Sequence, residues 1–234
     1  MKQFISLCKF YIKKQYKRSK ILPILYNSSK NIIKESIYSY KGLVFDMVWK
    51  VDTTKKIDRR VLDIPDREFT WSYEACGVRR FHRIMKRINI DHTKYNFIDI
   101  GSGKGRVLLM SIRYNFRRIV GVEFSKKLHE TAKRNIENYS KKLGKKECIE
   151  LFNCNALEFH FPIEPSIIFL FNPFKRAIME RFITNLQQSL TVSPRSVLVV
   201  YVHPTEKALL EKTVLLSKTY EDCGRDDFVI FSNR

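Results

Sequence analysis

The chain has 234 residues, enough for one domain with a sizeable core. Its 44 Lys and Arg against 24 Asp and Glu give a formal net charge of +20, and 44% of residues are hydrophobic, which excludes an intrinsically disordered chain. The five cysteines contain no Cys-x-x-Cys pair, so neither a disulfide framework nor a zinc cluster is indicated and a reduced, cytoplasmic compartment fits; no apolar run reaches the roughly 18 residues of a membrane span.

The charge is uneven. Residues 1–60 carry a net +11, residues 61–93 +1 and residues 94–234 +8, and the first 34 residues hold nine Lys or Arg and no acid. Phe4, Leu7, Cys8 and Tyr11 follow the i, i+3, i+4, i+7 spacing of one helix face, with Lys2, Lys9, Lys13 and Lys14 largely off it. Lys9 breaks the apolar stretch too early for a secretory signal. A basic amphipathic helix of this kind packs on the main domain with a solvated basic face, or rests on an anionic membrane surface or on nucleic acid. Pro23 ends it, and Asn31–Tyr40 reads as a second short helix. A connector with turn signals at Asp52–Thr53 and Pro65 follows. The expected division is a basic helical extension over 1–60 and a catalytic-type domain over 61–234.

Trp71–Ile88 reads as a helix, with Val78, Phe81, Ile84, Met85 and Ile88 on one face. From Tyr95 short apolar runs alternate with helical stretches. Strands are expected at Asn96–Ile100, Ile119–Glu123, Ile149–Phe152, Ser166–Phe171, Ser196–Val202 and Asp227–Phe231. Helices are expected at Gly103–Tyr114, Lys126–Lys142, Ala177–Leu190 and Thr205–Leu216. This alternation predicts an α/β fold, a doubly wound and mostly parallel sheet with helices on both faces. Ligands of such sheets bind beyond the carboxyl ends of the strands.

The first strand exit reads FIDIGSGKGR, with Gly101, Gly103 and Gly105 at the turn into the next helix and Ser102 between them. Glycines there allow a tight turn and a close approach of ligand to backbone. Arg106 stands where a dinucleotide fingerprint needs glycine, and there is no phosphate-binding G-x-x-x-x-G-K-[ST] loop. Asp99 would repel a pyrophosphate on that turn but suits a cationic ligand, such as the ammonium and sulfonium of S-adenosylmethionine. Glu123, 24 residues after Asp99, can accept both hydroxyls of a ribose at the second strand exit.

The D-x-G-x-G-x-G run with an acidic end to the second strand resembles the class I S-adenosylmethionine-dependent methyltransferases, over roughly Trp71 to Arg234. The resemblance implies a seven-strand sheet and S-adenosylmethionine as cofactor. Members usually carry Asp-Ala after strand three, where the acid receives the adenine amino group. Here Asn155–Ala156 stand in that place, and the Asn155 oxygen can still accept. Asn172–Pro173–Phe174 partly resembles the [Asp/Asn]-Pro-Pro-aromatic motif of amino-nitrogen methyltransferases, in which the Asn oxygen and the next carbonyl accept from the target amine and the aromatic stacks on the substrate. One proline is missing. Wider wording, with Asp52–Thr53, Trp71–Tyr73 and LFNPF, is similar to uncharacterised bacterial methyltransferases and more weakly to seven-strand protein lysine methyltransferases, which implies that Tyr73 closes over the cofactor.

The expected reaction is methyl transfer to a nitrogen, with a macromolecular acceptor, protein lysine before nucleic-acid amine; a small-molecule or sugar acceptor and a non-catalytic cofactor-binding scaffold are the alternatives. No metal is expected, since His82, His92, His129 and His160 are scattered. His203, after the fifth strand, is either a base near the substrate or a structural residue.

Overall fold

The strands are β1 (Asn96–Ile100), β2 (Arg118–Val122), β3 (Ile149–Phe152), β4 (Ser166–Phe171), β5 (Val197–Val202), β6 (Ser217–Asp222) and β7 (Phe228–Ser232). They form one sheet in the order β3-β2-β1-β4-β5-β7-β6. β1 to β5 run parallel, while β7 is antiparallel to both β5 and β6. The computed structural model describes residues 41–63, 70–144, 149–224 and 226–233. The basic helical stripe and the second short helix read in residues 1–40 lie outside the described residues.

The two faces of the sheet carry separate cores because strand side chains alternate. Ile98, Ile100, Ile168, Leu170, Val199 and Tyr201 point to one face, against α5 (Arg176–Val192) and α6 (Lys207–Glu211) through Met179, Phe182, Leu186 and Leu210. Phe97, Ile167, Phe169, Val200 and Ile230 point to the other, against Phe81, Ile84 and Met85 of α2 (Val78–Met85) and Val107, Leu108 and Met110 of α3 (Arg106–Ser111). The long α4 (Lys126–Leu143) starts where the Ser125 hydroxyl accepts from the Leu128 N–H and stops at Gly144, whose φ of 70° suits a residue without Cβ. The doubly wound, mostly parallel sheet is as the alternation predicts, and its seven strands are as the resemblance implies.

Four elements differ from expectation. The segment over 41–49, read from Phe45 on as a connector, is helical (α1). By backbone proximity the chain divides into Met1–Lys41 and Gly42–Arg234, so residues 42–60 fall in the unit that contains the sheet. The helix expected over Trp71–Ile88 covers only Val78–Met85, because Thr70 and Tyr73 are extended and bridge to Phe174 and Ile57. The helix expected over Thr205–Leu216 stops at Glu211; the Thr213 hydroxyl then donates to the Leu210 carbonyl, turning the chain into β6. β6 has no apolar alternation to announce it, being an edge strand whose first half is exposed.

Candidate active site

The strand order reverses between β1 and β4, and a cavity of about 150 Å³ opens there beyond their carboxyl ends, as a doubly wound sheet dictates. Gly101 and Gly103 line it, with Glu123 from the end of β2, Asn155 and Ala156 from the end of β3, and Asn172, Pro173 and Phe174 from the end of β4. Tyr73 and Trp71 close it from the segment before α2. Nine of the twelve residues singled out in the sequence therefore meet in one cleft; Asp99, Ser102 and Gly105 lie outside its lining.

The glycine turn is shaped for close approach. Gly101 has φ of 75°, and a Cβ there would stand 2.9 Å from Pro173 Cβ. Gly103 has φ of 55°, and a Cβ there would overlap the Tyr73 ring. Gly105 begins α3 with φ of 82° and faces Ala132 rather than the cleft. Ser102 is buried, and a Cβ at Gly121 would stand 3.0 Å from its hydroxyl oxygen.

Two carboxylates lie under this turn. Asp99 is 2% exposed, and no hydrogen bond to its carboxylate is found among the described residues. Burial, and then the neighbouring Glu123, push its pKa well above the ordinary carboxylate range. Glu123 accepts from the Gly103 N–H and the Ser125 N–H, each at 2.8 Å. Its pKa is also raised, burial outweighing those backbone donors. A pair of desolvated acids at a cleft is a place for a cation, and each Glu123 oxygen keeps a second lone pair for a ligand hydroxyl. Asn155 uses one lone pair in a turn to the Leu157 N–H at 3.0 Å.

The Asn172–Pro173–Phe174 turn is built differently from the sequence expectation. Asn172 has φ of 43°, a left-handed conformation that asparagine tolerates. Its amide oxygen accepts from Tyr201 Oη at 3.1 Å and from Thr205 Oγ1 at 2.9 Å. Those bonds occupy the side-chain oxygen that the motif offers to the substrate amine, so the side chain holds the loop in place, and of its polar groups the amide N–H groups remain for a ligand. Phe174 is largely buried and packs on Phe182, with ring centroids 5.6 Å apart. Phe171 and Trp71 add further aromatic surface to the cleft, and Trp71 is 45% exposed and carries Lys175 Nζ 5.2 Å from its ring centroid.

Tyr73 is held from behind. Its hydroxyl donates to the Thr53 carbonyl at 2.8 Å, and burial raises its pKa. Thr53 belongs to a network the sequence reading missed. The Asp46 carboxylate of α1 accepts from the Thr53 and Thr54 N–H groups and pairs with buried Arg106 at 3.2 Å. Lys104, also buried, pairs with Asp52, and Asn135 bonds both Asp52 and Lys104 backbone atoms. Residues 46–54 thus brace the glycine turn through three polar side chains, Lys104, Arg106 and Asn135. Only the two cations standing inside the glycine turn, Lys104 and Arg106, hinted at this in the sequence.

His203 is not placed as a base. Its Nε2 faces Arg80 Nη1 at 2.7 Å, and its Nδ1 faces Asp227 Oδ2 at 2.6 Å. A guanidinium only donates, so the basic lone pair of His203 is already taken. Among the described residues no group of three or more His, Cys, Asp or Glu could hold a metal.

Comparison with known proteins fits this geometry. The family described as histone methylation protein DOT1 matches residues 72–183, just under half of the chain. No curated protein matches the chain significantly in sequence. Among solved structures, yhhF from Escherichia coli, assigned to the methyltransferases, is 16% identical, covering 73% of this chain and 90% of its own, with a TM-score of 0.52. A methylase from Haemophilus influenzae, HI0767, is 16% identical over 66% of this chain and 98% of its own, at 0.48. The magnesium protoporphyrin IX methyltransferase of Synechocystis is 11% identical over 66% and 81%, at 0.49. Only the first shares enough backbone to speak for the fold.

Proposed function

We propose that this chain, whose fold is that of the class I, Rossmann-like methyltransferases, is an enzyme that transfers the methyl group of S-adenosylmethionine to an acceptor nitrogen, and that the acceptor is a protein lysine. The observation that carries the cofactor is the buried Asp99–Glu123 pair beneath a glycine turn at the sheet's switch point. In a chain of net charge +20, a desolvated pair of acids favours a cationic ligand, which stabilises their ionised form, and the residues around the pair suit this one. Asp99, buried below the lining, acts on the positive end of the ligand through its charge, Glu123 takes the ribose hydroxyls and Asn155 the adenine amine. Gly101 and Gly103 leave the space a Cβ would fill.

When bound, the cofactor supplies a methyl group on a sulfonium, open to in-line attack by a nitrogen lone pair. The protein's part is to position and desolvate. The Asn172–Phe174 turn, pinned by Tyr201 and Thr205, sets the far wall of the cleft. Phe171 and Trp71 give the approach an aromatic lining. A lysine ammonium must lose its proton to water before attack, and apolar surroundings favour its neutral form; the nitrogen–methyl bond then forms as the sulfur–methyl bond breaks, and the demethylated thioether leaves. The Lys175 ammonium over Trp71 illustrates the contact an incoming lysine would make. The match to a histone methylation family supports protein as the acceptor class. The chain's own positive charge favours a lysine in an acidic setting over a free basic tail.

The test is methyl transfer from radiolabelled S-adenosylmethionine to a cell lysate. Label that protease removes, that nuclease leaves and that acid hydrolysis recovers as methyl-lysine is expected. Nuclease-sensitive label would assign the acceptor to nucleic acid instead.

A further inference from the structure

The helix over 41–49 turns its most apolar side outward. Leu43, Val44, Met47 and Val48 are 50%, 39%, 78% and 51% exposed, and their i, i+1, i+4, i+5 spacing makes one continuous stripe. Its inward side carries Phe45, Asp46 and Trp49, and these fix its rotation. The Asp46 carboxylate accepts from Thr53 and Thr54 and pairs with buried Arg106. Phe45 lies under the Arg106 guanidinium, 5.6 Å from it, and Trp49 packs on Tyr139 with centroids 4.3 Å apart. Rolling the stripe inward would strip Asp46 and Arg106 of their partners, so the apolar side cannot reach the core.

We propose that this stripe docks the protein on an anionic membrane surface, with the helix lying in the interface plane and Leu43, Val44, Met47 and Val48 entering the acyl boundary. The charge pattern favours this occupant. The helix has no acid on its outward side, Lys41 and Lys50 bound it, and the first 34 residues of the sequence hold nine Lys or Arg and no acid. Apolar insertion combined with basic flanks is how interfacial helices bind anionic lipid. Nine helical residues reach only about 14 Å, so the helix lies on a bilayer rather than crossing one, and among the described residues no helix is long and apolar enough to cross. Four side chains fall well short of the roughly 800 Å² per partner of a stable dimer, which argues against a second copy. The inference does not depend on methyl transfer.

The test uses the full chain with vesicles of phosphatidylglycerol and phosphatidylcholine, and with vesicles of phosphatidylcholine alone. Sedimentation with the anionic vesicles only, weakened by salt, is expected. Met47→Glu and Val48→Glu should each weaken that binding about tenfold with the melting temperature unchanged. A cysteine at position 47 (Met47→Cys), followed by peptide mass, should react with a soluble maleimide in buffer and be protected by anionic vesicles. Absence of vesicle binding overturns the proposal. So does binding that ignores both glutamate variants, which would assign it to the basic residues alone. Protection of the position 47 thiol without vesicles would mean that another part of the chain covers the stripe, and a dimer that Met47→Glu dissociates would mean that a second copy does; either result also overturns it.

Discussion

Asp99 shapes the cleft from beneath it, and its protonation should govern what the cleft holds. Burial favours the neutral form of both Asp99 and Glu123, while a cationic ligand favours the ionised form. Affinity for S-adenosylmethionine should therefore fall as pH drops through the raised titration range of the pair, and the demethylated product, lacking the sulfonium charge, should show a shallower fall. Calorimetry across pH measures both. In the ligand-free protein the native state holds the Asp99 proton more tightly than the unfolded chain does, so stability declines as pH rises from the ordinary carboxylate range through the raised one. Asp99→Asn should raise the melting temperature of the free protein at neutral pH while abolishing cofactor binding. Asn172 predicts the opposite division. Asn172→Ala frees the Tyr201 and Thr205 hydroxyls and puts alanine at φ 43°, so the loop shifts. Turnover should fall about a hundredfold with cofactor affinity nearly intact, and equal loss of both would refute the positioning role. The acidic residues and glycines of the cleft were legible in the sequence because their types and spacing carry the chemistry. The engagement of the Asn172 oxygen was not, because Tyr201 and Thr205 are 29 and 33 residues away in the chain.

β1, β2, β4 and β5 could be read directly as short continuous apolar runs, because a central parallel strand is buried on both faces, and α4 could be read from its period of 3.6. β6 and α1 could not. β6 lacks an apolar face, and α1 inverts the usual pattern by turning Asp46 inward and exposing Leu43 and Met47. The seam between α1 and α3 rests on Arg106. Arg106→Met removes the guanidinium that pairs with Asp46 and reaches Thr53 and Thr54. Leaving Asp46 part-buried and unpaired should cost about 3–5 kcal/mol, read in chemical denaturation. Cofactor affinity should fall with it, because Thr53 also holds Tyr73.

At the scale of the whole molecule, the +20 charge comes from outside the cleft, whose lining holds Glu74 and Glu123 and no Lys or Arg. The charge runs suggested a division at residue 60, but Asp46, Asp52 and Thr53 bind Lys104, Arg106 and Tyr73 of the sheet domain, a tertiary pairing that composition cannot reveal. A chain of residues 42–234 should consequently fold with a cooperative melt, while residues 61–234 should melt lower and less cooperatively. Equal melting of the two would show that the brace is dispensable.

The central claim is that the cleft over Asp99 and Glu123 binds S-adenosylmethionine for methyl transfer. Titration calorimetry of the full chain with S-adenosylmethionine and with its demethylated product tests it most directly. Saturable binding of both to one site, lost in Asp99→Asn with the fold retained, is the predicted result. Failure of either ligand to bind the folded wild-type protein at high micromolar concentration would contradict it.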